Sequence, residues 1–250
     1  MKEQIILVMP IKNAAATVAR SIQSFLHQKK VKREIILVIG NDQSTDNSQK
    51  IIDSFLPHPS LLCIDIDCGT VSSARNYLTD YVRDHFPHCI LIGRLDADDT
   101  LASATTLHEI ENQYDIEPFD VLIAGNQQQK KGCILPWENR PSPLLLDETY
   151  LLRQLEEMKN GNPKAELPSC NTFIKPSVAM KYPPVESAED HWFTVQILLQ
   201  KNTFKIHIAP ELLYCIYSLD GTETSNNLKN DSYIQSRTEL YNYYKKVISA

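Results

Sequence analysis

The chain has 250 residues, enough for one large domain or two small ones, and its 42% hydrophobic and 22% charged content allows a sizeable buried core. A formal net charge of −6 and a pI of about 5.7 argue against a nucleic-acid binder that relies on a broad basic face. No apolar run reaches the ~18–20 residues of a membrane span, and the short apolar stretch at the N-terminus is followed at once by Pro10 and Lys12, unlike a signal segment.

The reading therefore expects a cytoplasmic protein, free or peripheral on the cytoplasmic face of a membrane. The six cysteines form no CxxC pair. They read as reduced core or surface thiols, with Cys63, Cys89 and Cys215 in apolar runs.

In chain order, "QIILVM" (4–9) is an apolar run suited to a strand buried on both faces. Ala15, Val18, Ile22, Phe25 and Leu26 then fall on one helical stripe. "EIILVIG" (34–40) is a second buried strand, and Ser44 or Thr45 is placed to cap a helix carrying Ile51, Ile52 and Phe55. "LLCIDI" (61–66) reads as a third strand, "SSARNYLTDYVRDHF" (72–86) as a helix capped by Ser72 or Ser73, and "CILIGRL" (89–95) as a fourth strand. An amphipathic helix near 101–114 and a strand at 121–125 follow.

Beyond that point the pattern loosens. Residues 126–146 read as an excursion loop, 147–159 as a helix and 170–179 as a short apolar segment. Residues 187–200 read as a helix with Ser187 as cap, and 233–248 as a Tyr-rich, partly basic tail.

Strand–helix alternation with short links predicts a parallel sheet covered by helices on both sides. Ligands gather outside the carboxyl ends of the strands in such sheets. Three polar segments leave those ends: "PIKN", "NDQSTD" and "DADD".

In the last of these, Asp96 and Asp98 are expected on one side of a strand end, where two carboxylates suit a hard divalent cation. Asp99 reads more plainly as the start of the next helix. Asn41 and Asp42 suit either the edge of a polar ring or a turn with a helix cap. Arg75 in a first helical turn opposes the helix dipole, so it either meets a phosphate or carboxylate or pairs with an acid at the surface. Glu189 and Asp190 open a helix, as first-turn acids or as a general base.

Together "ILVMPIKNAAATVARSIQSFLHQ", "EIILVIGNDQSTDNSQKI", "GTVSSARNYL", "LIGRLDADD" and "AEDHWF" occur in the order seen in family 2 glycosyltransferases with the GT-A fold. The chain resembles that family over about residues 4–200.

The resemblance implies an α/β fold of GT-A type: a mostly parallel nucleotide-binding sheet, helices on both faces and a less regular C-terminal acceptor region. It implies an inverting transfer of a sugar from a nucleotide-diphosphate donor, a UDP-sugar, to a hydroxyl of a glycan or lipid-linked acceptor in surface polysaccharide synthesis. Pro10 to Asn13 would line the nucleobase pocket, and Asp42 would bind the base. Arg75 would lie near the donor and Asp96 on the ribose or metal side. Asp98 would coordinate Mn²⁺ or Mg²⁺ through the donor diphosphate. Asp190 would be the base, with Glu189 beside it.

The corresponding organisation is 1–125 as the nucleotide-sugar half, 126–229 as the acceptor and catalytic-base half of the same domain, and 230–250 as a helical tail. That tail either packs over the sheet or lies on lipid headgroups, which suit Tyr and Lys.

Three departures stand out. Lys12 stands where the family often has an aromatic residue. Asn41–Asp42 is one charge poorer than the frequent acid pair. "YCIYSLDGTETS" lacks the histidine many members carry. Lys12 and the missing histidine support the competing reading of a catalytically silent relative that holds a nucleotide sugar, and the retention of Asp42, Asp96, Asp98 and Asp190 argues against it. A nucleotidyltransferase is disfavoured by the absence of glycine from "MPIKNAAAT", and a P-loop enzyme by the absence of GxxxxGK[ST].

Overall fold

Apolar residues on alternate sides of a strand build two cores at once, which requires helices on both faces. In β1 (Gln4–Ile11), Ile5, Leu7, Met9 and Ile11 enter one core, while Ile6 and Val8 enter the other. The first core is closed by α1 (Val18–Leu26), α2 (Ser48–Asp53) and α4 (Thr106–Ile116), through Ile22, Phe25, Ile52, Leu107 and Ile110. The second is closed by α3 (Val71–His85), α5 (Glu148–Lys159), α6 (Glu189–Leu198) and α7 (Ser232–Ile248), through Leu78, Val82, Leu151, Leu155, Val195, Leu240 and Tyr244. Each fully buried aliphatic side chain contributes about 1.5–3 kcal/mol.

This is a computed structural model, and it describes residues 2–162, 167, 171–185, 187–220 and 232–249. The remaining strands are β2 (Glu34–Asp42), β3 (Leu61–Ile66), β4 (Cys89–Arg94), β5 (Thr100–Leu101), β6 (Val121–Lys130), β7 (Cys133–Asn139), β8 (Thr172–Ile174) and β9 (Ile206–Ser218). Among the described residues the sheet runs β3-β2-β1-β4-β8-β6-β9-β5, with β7 paired to β6. β3, β2, β1 and β4 are parallel neighbours. β8 is antiparallel to both β4 and β6, so a three-residue strand from late in the chain joins the two regions of the sheet. The approach is close: a Cβ on Gly93 of β4 would run into the Phe173 ring of β8 and into Leu7.

Several expectations are corrected. Residues 126–146 are not a loop excursion. β6 continues through the glutamines and turns back as β7, a hairpin followed by a 3₁₀ turn at Pro143–Leu146. The 13-residue β9 escaped the sequence reading, although its apolar positions pair it in parallel with β6.

Helix starts also differ. Thr70, not Ser72 or Ser73, caps α3 by accepting from the Ser73 amide. α2 begins at Ser48, and Ser44 instead accepts from the Asn13 amide. α6 begins after Ala188 in the left-handed conformation, without a side-chain cap from Ser187.

Asp99 does not start a helix. It precedes β5, is 1% exposed, and its Oδ1 accepts from the Ser218 amide at the end of β9 (2.9 Å). α4 begins only at Thr106. The tail at 233–248 is α7, which packs on α5 and α6; Trp192 meets Tyr243 at 4.9 Å and the Tyr244 hydroxyl donates to the Glu148 carbonyl.

Cys63, Cys68, Cys89, Cys133 and Cys215 are free thiols. Cys170 lies outside the described residues, as do 221–225 of the segment that lacks a histidine, and residues 230, 231 and 250 of the tail.

Candidate active site

Because β1 lies between β2 and β4, the carboxyl ends of three strands are neighbours. Side-chain bonds between their exit loops hold them together. Asn13 has a left-handed backbone (φ 55°), and its carboxamide oxygen accepts from the Thr45 amide (2.8 Å) and the Asp46 amide (3.3 Å). Pro10 sits opposite Gly40 in the β1–β2 pairing.

Asp42 is the last residue of β2 and is buried. Its Oδ1 accepts from the Cys68 amide (2.7 Å), and its Oδ2 lies 3.8 Å from Lys12 Nζ. The carboxylate thus fastens the β3 exit to the β2 exit and carries an exposed lysine beside it.

The acidic turn after β4 meets two buried arginines. β4 ends at Arg94, so Asp96 and Asp98 lie in the turn beyond it rather than on one side of a strand. Asp96 Oδ2 sits 3.3 Å from Arg75 Nη2 and 3.1 Å from Arg94 Nη2. Arg75 Nη1 also donates to Glu189 Oε1, across 114 residues of sequence. Arg94 Nη2 also lies 3.6 Å from Asp190 Oδ2.

Both guanidiniums lie over the Tyr182 ring, at 5.4 and 5.8 Å from its centroid, and that ring is stacked on Phe193 of α6. Arg75 is therefore no surface arginine; it is 6% exposed and joins the acidic turn to the start of α6.

The charges explain one another. Burial and the neighbouring Arg94 charge work against the Arg75 cation, but Asp96, Glu189 and Tyr182 outweigh them and hold it above its ordinary range. Burial raises the Asp190 carboxyl, and His191, charged in the acid range where this carboxyl titrates, together with the Arg94, Arg75 and Arg237 charges more than offsets this, leaving it below the usual carboxylate range. Asp190 is thus ionised at neutral pH. Burial pushes His191 down to about 4, so it is neutral there. Its backbone amide donates to Asp190 Oδ1 (2.8 Å).

Asp98 is different. Burial and the Asp96 charge push its carboxyl up to about 6, the mark of two acids with too little positive charge between them. Arg20 reaches only the Asp98 carbonyl (2.6 Å). Asp96 Oδ1 is buried with no hydrogen-bond partner.

An orphaned carboxylate oxygen beside a destabilised carboxylate is a donor set that fits a hard divalent ion with few protein ligands. Among the described residues no group of three His, Cys, Asp or Glu side chains is arranged to hold a metal.

The sequence reading missed Arg94, Tyr182 and Arg237. Arg94 carried a signal: an arginine inside an apolar strand, two residues before Asp96, in register to face the same side. It is 4% exposed, and its carbonyl accepts from the Tyr214 hydroxyl of β9 (2.6 Å). Tyr182 and Arg237 carried none that stands out from neighbouring tyrosines and basic residues.

No curated protein matches the chain significantly. Solved structures do. The S. aureus TarS 1–349 structure in complex with UDP-GlcNAc is 19% identical with a TM-score of 0.67, over 90% of this chain and 61% of that one. Mannosyltransferase PcManGT from Pyrobaculum calidifontis, in complex with GDP-Man and Mn²⁺, is 13% identical with a TM-score of 0.59, over 88% of this chain and 58% of that one.

At such identities the likeness shows the fold, the mostly parallel GT-A sheet with its helices, and the chain spans about three fifths of the length of those structures. The sequence profile described as glycosyl transferase family 2 matches residues 6–182, from β1 through the acidic turn to Tyr182. With well over half of its length inside that match, the chain belongs to glycosyl transferase family 2.

Proposed function

We propose that the chain is an inverting, metal-dependent glycosyltransferase that moves a sugar from a nucleotide-diphosphate donor, a UDP-sugar, to a hydroxyl of a glycan or lipid-linked acceptor. One observation carries the reading. Two buried arginines join the acidic turn after β4 to the acidic start of α6: Arg75 touches Asp96 and Glu189, and Arg94 touches Asp96 (3.1 Å) and Asp190 (3.6 Å). A donor-side carboxylate and an ionised base are thereby held at fixed separation.

In this reading Asp190 takes the proton of the acceptor hydroxyl as that oxygen bonds to the anomeric carbon, and the bond from that carbon to the donor phosphate breaks. Glu189 holds Arg75 in place. Asp42, Pro10 and Asn13 shape the nucleobase side, and Asp96 serves the ribose or metal side. Asp98 and Asp96 Oδ1 would hold Mn²⁺ or Mg²⁺. When bound, the ion supplies charge stabilisation where the leaving diphosphate develops it.

The relatives' own ligands are consistent with the substrate class, since their structures contain UDP-GlcNAc, or GDP-Man with Mn²⁺. Within the same proposal, residues 1–125 form the donor half and 126–229 the acceptor half of one domain. Surface polysaccharide synthesis at the cytoplasmic membrane face is the expected setting. The outward face of α7 supports peripheral contact there, with Ile234, Tyr243 and Val247 exposed beside Lys245 and Lys246. No helix among the described residues is long and apolar enough to cross a membrane. Loss of flotation with anionic vesicles in Ile234→Glu/Val247→Glu would support that contact; no flotation of the unaltered chain removes it.

The central test is a thermal-shift series with UDP-GlcNAc, UDP-glucose and GDP-mannose, each with and without Mn²⁺. A rise in Tm is expected with one nucleotide class, larger with Mn²⁺, and the Mn²⁺ increment should vanish in Asp98→Asn. No shift with any sugar nucleotide overturns the proposal. Tight binding with neither transfer nor donor hydrolysis identifies instead a silent nucleotide-sugar-binding relative.

A further inference from the structure

We propose that Arg237 of α7 is an anion-binding residue on the acceptor side, taking a phosphate or carboxylate that the acceptor carries near the hydroxyl to be glycosylated. This rests on Asp190 being the base. It goes further by naming the charge of the acceptor and by making the C-terminal helix part of the site.

Arg237 is 6% exposed, as deeply buried as Arg75. The two are satisfied very differently. Arg75 touches two carboxylates, whereas among the described residues no carboxylate lies within 4.0 Å of Arg237. Its guanidinium lies over the Tyr233 ring (3.3 Å to the centroid), and Nη1 donates to the Tyr233 carbonyl (3.0 Å). Both contacts are with the preceding turn of its own helix, and they hold the group in one direction.

In that position it feels Asp190, Glu189 and Tyr217 electrostatically without closing on any of them. Burial accordingly lowers Arg237 despite those neighbours, whereas Arg75 is raised. A buried cation held short of its nearest carboxylates is costly unless an anion completes it. The carboxylates that act on it, Asp190 and Glu189, open α6, and none belongs to the acidic turn. Asp98, on the donor side, feels Asp96, Arg75 and Arg20 instead.

The docking of α7 makes the placement stable. Leu240, Tyr241 and Tyr244 are buried in the core shared with α5 and α6, and Trp192, two residues after Asp190, meets Tyr243. An oxyanion between Arg237 and the start of α6 would receive charge-assisted hydrogen bonds from the guanidinium.

Titration calorimetry on the full chain, saturated with UDP and Mg²⁺, tests this with four probes: glycerol 3-phosphate and glucuronate, against glycerol and glucose. At least one anionic probe should bind about tenfold or more tightly than its uncharged counterpart. Arg237→Gln should abolish that preference and Arg237→Lys should keep part of it, with UDP affinity within about twofold of the original. Thermal melts check that both variants are folded; should Gln not fold, the Lys variant and the unaltered chain decide.

Equal binding of charged and uncharged probes by the unaltered chain overturns the proposal. So does an undiminished preference in Arg237→Gln, and so does a fall in UDP affinity, which would put Arg237 on the donor side. Failure of the unaltered chain to bind UDP removes the UDP donor, and the same four probes are then titrated with GDP and Mg²⁺; failure with both nucleotides refutes the nucleotide-sugar reading instead.

Discussion

The exits of β1, β2 and β3 and the start of α6 are held in place by different means. The first three are fastened loop to loop by near neighbours. Asn13 holds the amides of Thr45 and Asp46, Ala14 donates to Ser48 Oγ, and Asp42 holds the amide of Cys68, with sequence separations of 26 to 34. The acidic start of α6 is held by a contact across 114 residues, from Arg75 to Glu189, and by another from Arg94 to Asp190.

Local hydrogen bonds between exposed loops contribute little each but are numerous. A buried ion network contributes through what its loss leaves behind, an uncompensated charge. The strand-exit side should therefore tolerate single losses, and the α6 side should not.

The sharpest break is chemical. Asp190→Asn keeps the volume and removes the proposed base, so transfer should fall about 100- to 10,000-fold while donor binding by calorimetry stays nearly intact. Turnover near the original rate would remove Asp190 from that role.

Next is Arg75→Met, which takes from Glu189 its guanidinium partner and leaves Asp96 with Arg94. Urea unfolding should show a loss of about 3–5 kcal/mol, and a loss below about 1 kcal/mol would mean that the network is solvated in solution. Asp99→Ala leaves the Ser218 amide without its acceptor and should cost about 1–3 kcal/mol. An unchanged denaturation midpoint would show that β9 does not depend on that tie.

The smallest effect is expected from Asn13→Gly, which keeps the left-handed backbone and deletes only the carboxamide. About 0.5–1.5 kcal/mol should be lost. A larger cost than for Arg75→Met would invert the contrast between the two sides.

Much of the strand-exit side is legible in the chain because its contacts follow the order of its elements. Short continuous apolar runs locate β1 to β4, and polar residues directly after them mark the strand exits. The α6 side is legible only in part. Glu189 and Asp190 can be seen to open a helix, but their partners depend on β8, three residues long, pairing antiparallel to β4 and β6. No local pattern announces so short a strand.

The same holds for Asp99. Local helix-start chemistry suggests one task, and a long strand arriving from residues 206–218 imposes another. The glutamine-rich stretch after residue 125 looks like a loop because its side chains are polar, yet its backbone pairs with β9 on one side and β7 on the other.

By itself, then, the amino-acid order determines where strands and helices alternate in the first half of the chain, that β1 is buried on both faces, and that carboxylates gather after β4 and at the start of α6. Only the tertiary structure decides which charge meets which. Arg75 and Arg94 neutralise Asp96, Asp98 is left short of positive charge, and Arg237 is brought by the last helix within the field of the carboxylates that open α6 without pairing with them. The physical reason is that an ion pair acts over a few ångströms, and the groups that come so close are set by the order of strands in the sheet and the docking of helices on it.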